Sequence, residues 1–236
     1  LRQIFAKKER QRVHYLYPEN SLFKGWLWKK RQGLVLSCHQ PSDVLAQSKK
    51  LGNLPLFDGL KHASKVVLLT ESFRKGYEAF CDPARLTVIH HGVDVHFFCP
   101  SEVHPKKPLL LTVGNWLRDY EFWAETVLRL AEQMPELQFA AVALPQVVGE
   151  SFVCVKQKLG SRVRLLHGLS DDELRNLYRE AAALFLPLKD AGANNALLEA
   201  MACGLPIVVS DLPATREYAG DAGIFFNNGN LGDCVA

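Results

Sequence analysis

Hydrophobic positions along this chain gather into short apolar runs, separated by longer amphipathic stretches. Leu34-Val35-Leu36-Ser37-Cys38 is one such run, ending at His39-Gln40-Pro41. Lys65 to Thr70 has a buried-strand pattern, a helical stretch follows from Glu71 to Phe80, and Leu86-Thr87-Val88-Ile89 is a further strand. The second half repeats the alternation with more regularity. Strands are expected over 109–113, 139–144, 163–166, 183–186, 207–210 and 223–226, with helices over 122–133, 171–182 and 195–202. Leu128, Leu130 and Ala131 mark the inner side of the first of these helices. Ser42-Asp43 supplies side-chain oxygens to cap a helix running toward Lys50, and Gly204 with Pro206 stops the helix that begins at Asn195. Continuous apolar strands alternating with helices indicate parallel sheets covered on both faces. The predicted fold class is therefore α/β and doubly wound, in two halves: 1–98, a proline-bearing linker over 99–107, and 108–236.

Composition narrows the choice. With 48% hydrophobic and 22% charged residues, the 236-residue chain is neither disordered nor collagen-like. No apolar run reaches the roughly 18 residues of a membrane-spanning helix. No signal peptide is visible, and a first residue other than Met suggests a fragment of a longer chain. The six cysteines are widely spread and never form C-x-x-C, so neither a zinc site nor a disulfide framework is expected. They read as reduced thiols in a cytoplasmic protein. Net charge is +3, but through Gly33 nine basic residues face only Glu9 and Glu19. Phe23, Trp26, Leu27 and Trp28 interleave with those charges. Residues 7–31 thus offer peripheral contact with anionic lipid, or form a solvated amphipathic helix. No nucleic-acid partner is expected, since no recognition motif accompanies the basic excess.

In an open parallel sheet, ligands gather beyond the carboxyl ends of the strands. Four places qualify: His39, Gly114 with Arg118, Leu169-Ser170, and Gly192 through Glu199. Gly192-Ala193-Asn194-Asn195 leads from a strand into a helix, where small residues admit a ligand to the backbone and free amides attract a phosphate. Glu199, one turn inside, can accept from sugar hydroxyls; the same residues also read as plain helix caps and an exposed helix former. Arg118 suits a diphosphate, whose oxygens match a guanidinium fork, or is a surface residue beside a helix start. His39 is a strand-end histidine, placed to face an interdomain cleft or to tie its own loop together. Neither G-x-G-x-x-G nor G-x-x-x-x-G-K-[ST] occurs, so a dinucleotide oxidoreductase loses most of its support and a P-loop NTPase is excluded.

One string is specific. Ala196-Leu197-Leu198-Glu199-Ala200-Met201-Ala202-Cys203-Gly204-Leu205-Pro206, continuing to Asp211, resembles the donor-site helix of family-four-type retaining glycosyltransferases with a GT-B fold. Val88 to Asp94 is similar to their hinge motif, and 163–182 to their nucleotide-base segment. The resemblance covers roughly residues 34 to 228. It implies a donor bound mainly by the C-terminal domain, a first domain entered midway, and a final helix missing.

The resemblance further implies transfer from a nucleotide-diphosphate sugar to a sugar, lipid-linked or other hydroxyl acceptor. Configuration would be retained and no cofactor used, while the lack of a D-x-D string at any strand end gives the expectation that no metal is needed. Gly192 to Asn195 and Arg118 would meet the diphosphate beside Gly114, Glu199 the ribose, the backbone around Leu169 the base, and His39 the sugar or acceptor. Three positions depart from the family pattern. Ala191, beside Asp190, stands where the first of two motif glutamates belongs, and Asn115 and Tyr120 replace an arginine and a lysine. An inactive nucleotide-binding or scaffolding relative, and a nucleotide-sugar epimerase, are the alternatives.

Overall fold

In the computed structural model, residues 12–20, 33–41, 44–47, 54–101 and 107–235 are described. Of the basic 7–31 stretch, only 12–20 falls among them; the Ser42-Asp43 cap lies outside. The chain divides into two compact units, 1–91 and 92–236.

The first unit carries four parallel strands in the order β1-β2-β3-β4: Val13–Tyr15, Leu34–Cys38, Lys65–Leu68 and Leu86–Val88. Leu34, Leu36 and Leu68 are fully buried, and they pack with Leu60 of helix α1 (Leu54–His62) and Tyr77 of α2 (Arg74–Tyr77). The expected 71–80 helix is shorter than its pattern suggested. A 3-10 turn, Glu71–Phe73, precedes the four residues of α2. β1 was hidden by its brevity and by the basic residues around it.

The second unit holds six parallel strands, β5 (Leu109–Val113), β6 (Gln138–Val142), β7 (Val163–Leu166), β8 (Ala183–Leu186), β9 (Ile207–Ser210) and β10 (Gly223–Phe226). Their order is β10-β9-β8-β5-β6-β7. Sequence neighbours β5 and β6 pair on one side while β8 pairs β5 on the other, so the winding direction reverses between β5 and β8. That reversal is the Rossmann switch point, where helices leave opposite faces and a crevice opens at the strand ends.

Both faces of this sheet are covered. Leu184 and Leu186 pack with Tyr178, Leu197 and Ala200 on one face. Phe185 lies in the other, with Trp123, Val127, Phe139 and Phe226. The helices are α3 (Tyr120–Gln133), α4 (Pro145–Leu159), α5 (Asp171–Glu180), α6 (Asn195–Ala202), α7 (Pro213–Ala219) and α8 (Leu231–Val235). On α3 the inner face is set by Phe122, Trp123, Thr126, Val127 and Ala131, while Leu128 and Leu130 are only half-buried. α4 was not foreseen: Gly149, at φ 49°, breaks its helical geometry and its periodicity. No described helix is long and apolar enough to cross a membrane.

Candidate functional site

The loops after β5 and β8 meet at the switch point. β5 ends in Gly114, at φ 116°, and the following residues run back against the β8–α6 connection. Arg118 and Leu188 form an antiparallel bridge. Lys189 donates its backbone N–H to the Leu117 carbonyl, and Asp119 to the Pro187 carbonyl, each at 2.9 Å. These bonds hold Leu117 at φ 59°, a left-handed conformation that costs a leucine about 1–2 kcal/mol. Such strain persists only where its surroundings over-determine it.

The loop delivers the Arg118 guanidinium into the crevice. Nε donates to the Val113 carbonyl (2.8 Å), Nη1 to the Trp116 carbonyl (3.0 Å) and Nη2 to Asn194 Oδ1 (3.2 Å). A guanidinium has five N–H donors, so two are left over. No ion pair engages Arg118 among the described residues. Burial lowers its pKa, with Tyr120 and Tyr178 raising it, and arginine remains charged at neutral pH. A Cβ at Gly114 would fall 2.4 Å from Nη2, so glycine alone leaves this space to the cation.

Asn194 is the N-cap of α6, and its Oδ1 also accepts from Leu197 N at 3.3 Å. One buried amide oxygen thereby joins the arginine to the helix start. The structure brings Gly114, Arg118 and Asn194 together, with Gly192 buried in the same connection. Ala191 is 6% exposed and belongs to the core, and its N–H donates to its neighbour Asp190 Oδ1 at 2.7 Å.

Further along α6, Glu199 and the exposed Asn195 line a cavity of about 170 Å³, together with Gly92, Asp94 and Phe98. The Tyr178 hydroxyl donates to Glu199 Oε2 at 2.9 Å. Burial raises the Glu199 pKa, the Tyr178 hydrogen bond lowers it, and Asp171 raises it. Asp94 is turned to local work, its Oδ1 accepting from the His96 and Phe97 amides at 2.9 and 3.1 Å. Leu169 is half-buried beyond β7, just before the reciprocal Ser170–Glu173 cap that opens α5.

The departing residues have structural employment. Asn115 Oδ1 accepts from Leu144 N (2.7 Å), and the Tyr120 hydroxyl donates to the Gly114 carbonyl (2.7 Å). Burial raises the Tyr120 pKa to about 12 against the lowering influence of Arg118. Tyr178 was missed in the sequence because it acts on Glu199, 21 positions away, to which no local pattern links it. Among the described residues, no three His, Cys, Asp or Glu side chains are grouped to hold a metal.

In the first unit, His39 follows β2. Its ring stacks on Tyr17 with centroids 3.9 Å apart and planes 20° apart, and meets His91 edge-on at 6.4 Å. Its backbone N–H donates to the Glu19 carboxylate. Burial lowers the imidazole pKa, Glu19 and a hydrogen bond with the Leu16 backbone raise it, and His91 lowers it.

Comparison with known proteins agrees with this architecture. The family described as Glycosyl transferases group 1 matches residues 107–236. D-inositol 3-phosphate glycosyltransferase of Mycobacterium sp. (strain KMS) is 28% identical over 171 residues, which is 64% of this chain and 38% of that protein. O-antigen chain mannosyltransferase RfbU of Salmonella typhimurium is 27% identical over 166 residues, 66% of this chain and 44% of its own. The chain thus spans less than half the length of these relatives. Among solved structures, Anabaena HepE in complex with UDP and glucose is similar at a TM-score of 0.74 and 17% identity, over 87% of this chain and 60% of that one. WaaG, a glycosyltransferase involved in lipopolysaccharide biosynthesis, is similar at 0.70 and 20% identity, over 86% and 64%. These likenesses identify the fold as GT-B-like, with Rossmann-like parallel-sheet units. By the match over its second unit, the chain belongs to the glycosyl transferases of group 1.

Proposed function

We propose that the second unit binds a nucleotide-diphosphate sugar and that the protein transfers the sugar to a hydroxyl acceptor with retention of configuration. The observation that carries this reading is Arg118, a half-buried cation at the switch point that no described carboxylate neutralises. Its spare N–H groups and the first amides of α6 suit a diphosphate, whose negative charge grows as the glycosidic bond breaks. Because backbone carbonyls and Asn194 already hold the guanidinium, little reorganisation is needed when that charge develops. The UDP bound in the HepE structures supports a nucleotide in this kind of fold.

Glu199 accepts from the ribose hydroxyls in this reading. Tyr178 fixes one of its oxygens and leaves the other for the ligand. The backbone around Leu169 meets the base, and His39 hydrogen-bonds a sugar hydroxyl. Arg118 and the helix amides take the part that a divalent cation plays elsewhere, so the reaction proceeds without metal. The acceptor is a sugar, a lipid-linked saccharide or another hydroxyl compound, and the reaction is cytoplasmic or at the inner membrane face.

A second reading has its own observation: Ala191 is core, while Asn115 and Tyr120 are spent on Leu144 and Gly114. A relative that binds nucleotide without transfer would keep Arg118 and Glu199 and lose the glutamate, arginine and lysine that these three replace. Turnover assayed with a panel of nucleotide sugars and acceptors separates the two. Sugar transfer supports the enzyme, and tight nucleotide binding with neither transfer nor donor hydrolysis supports the binder.

A further inference from the structure

We propose that Glu19 is a positioning residue for His39, acting through the backbone of the strand-end turn. β1 and β2 are parallel neighbours with Tyr15 opposite Leu36, so both chains leave the sheet at the same end. The 3-10 turn Pro18–Asn20 folds the first of them back. Glu19 Oε1 then accepts from two consecutive amides, those of His39 and Gln40, the latter at 3.0 Å. These are the first N–H groups beyond β2, where the ladder no longer provides acceptors. The rest of the turn is fastened as well. The Tyr77 hydroxyl donates to the Gln40 carbonyl at 3.0 Å, Pro41 restrains the Gln40 backbone, and Tyr17 covers the imidazole face.

Glu19 is an expensive choice for a mere cap. Its Oε2 is buried and has no hydrogen-bond partner among the described residues, nor has Gln40 Oε1. A buried, unsatisfied carboxylate oxygen opposes folding. That cost is kept at the one turn of this strand end that carries the imidazole, which points to use of the histidine.

This inference rests on the reading of His39 as a residue that touches the sugar or acceptor. The test pairs turnover with the NMR resonances of the His39 ring. In Glu19→Ala, kcat should fall by about tenfold or more while donor KM stays within about twofold, and the ring resonance should move or broaden. Glu19→Gln keeps an oxygen for both amides, so it should recover most of kcat and a sharp His39 resonance. If Glu19→Ala does not fold, Glu19→Asp, whose carboxylate is one methylene short of the amides, should show the same losses. Normal kcat and an unmoved His39 resonance in the Ala or Asp variant would overturn the proposal. If the resonance moves but neither Glu19→Ala nor His39→Ala lowers kcat, positioning stands and the functional reading of His39 fails instead.

Discussion

The two units end their parallel strands in opposite electrostatic settings. In the second unit the group delivered to the strand ends is a guanidinium, held by two carbonyls and an amide oxygen, with no described carboxylate paired to it. In the first it is an imidazole, beside a carboxylate, a tyrosine and a second histidine. A fixed cation suits an anion, and its attraction strengthens where water is scarce. A neutral imidazole near a carboxylate suits hydroxyls, which both donate and accept. One layout, parallel strands with helices, thus offers two chemistries according to what each loop carries.

The contrast predicts that mutations in the two units separate turnover from nucleotide affinity. The largest effect belongs to the first unit. His39→Ala should lower turnover by ~10²-fold or more, with nucleotide affinity and melting temperature almost unchanged. A lowered melting temperature with near-normal turnover would make the histidine a loop fastener and remove the first unit from the comparison.

Glu199→Ala comes next, in the second unit. It should weaken nucleotide-sugar binding by about 1.5–3 kcal/mol, the scale of a charge-assisted hydrogen bond. Helix α6 should survive, because alanine is a good helix former. Calorimetry showing unchanged affinity for every nucleotide would take Glu199 out of the site.

A smaller effect follows from the charge of Glu199. Burial holds its pKa above the ordinary 4.5. The ionised form is the better acceptor of ribose hydroxyls, so affinity should fall as pH drops through that raised value, earlier than an ordinary carboxylate would allow. Ligand phosphate groups titrate too, so the Glu199→Gln variant is the control: its affinity should be lower at neutral pH and lack this step. An identical pH profile in the variant would assign the titration to the ligand.

The smallest effect expected is none. With Arg118 and the α6 amides facing the diphosphate, turnover should survive EDTA. Complete loss that added divalent metal restores would show that the cation of the second unit does not suffice.

Much of the fold was legible because its signals are local. Leu109–Val113 and Ile207–Ser210 are continuous apolar runs, and Ser170 with Glu173 spells out the start of α5. α4 escaped notice because Gly149 interrupts its period, and β1 because three residues carry too little pattern. In the candidate site, Gly114, Arg118, Asn194 and Glu199 stood out from strand ends, helix starts and the resemblance. Their supporting contacts were not. Arg118 reaches Asn194 across 76 positions, and Tyr178 reaches Glu199 across 21. Glu19, 20 positions from His39, counted only as a charge until the strand pairing brought the two together.

In the proposed function, the switch point of the second unit is built for a diphosphate held by Arg118. Calorimetric titration of the chain with UDP, GDP and ADP, each beside its nucleoside, decides this. At least one diphosphate should bind about tenfold or more tighter than its nucleoside, the scale of one charge-assisted hydrogen bond. Arg118→Met, checked for an unchanged melting temperature, should erase that preference while leaving nucleoside affinity in place. Equal affinity for nucleoside and diphosphate in the unmutated chain, or a preference that survives loss of the guanidinium, would contradict it.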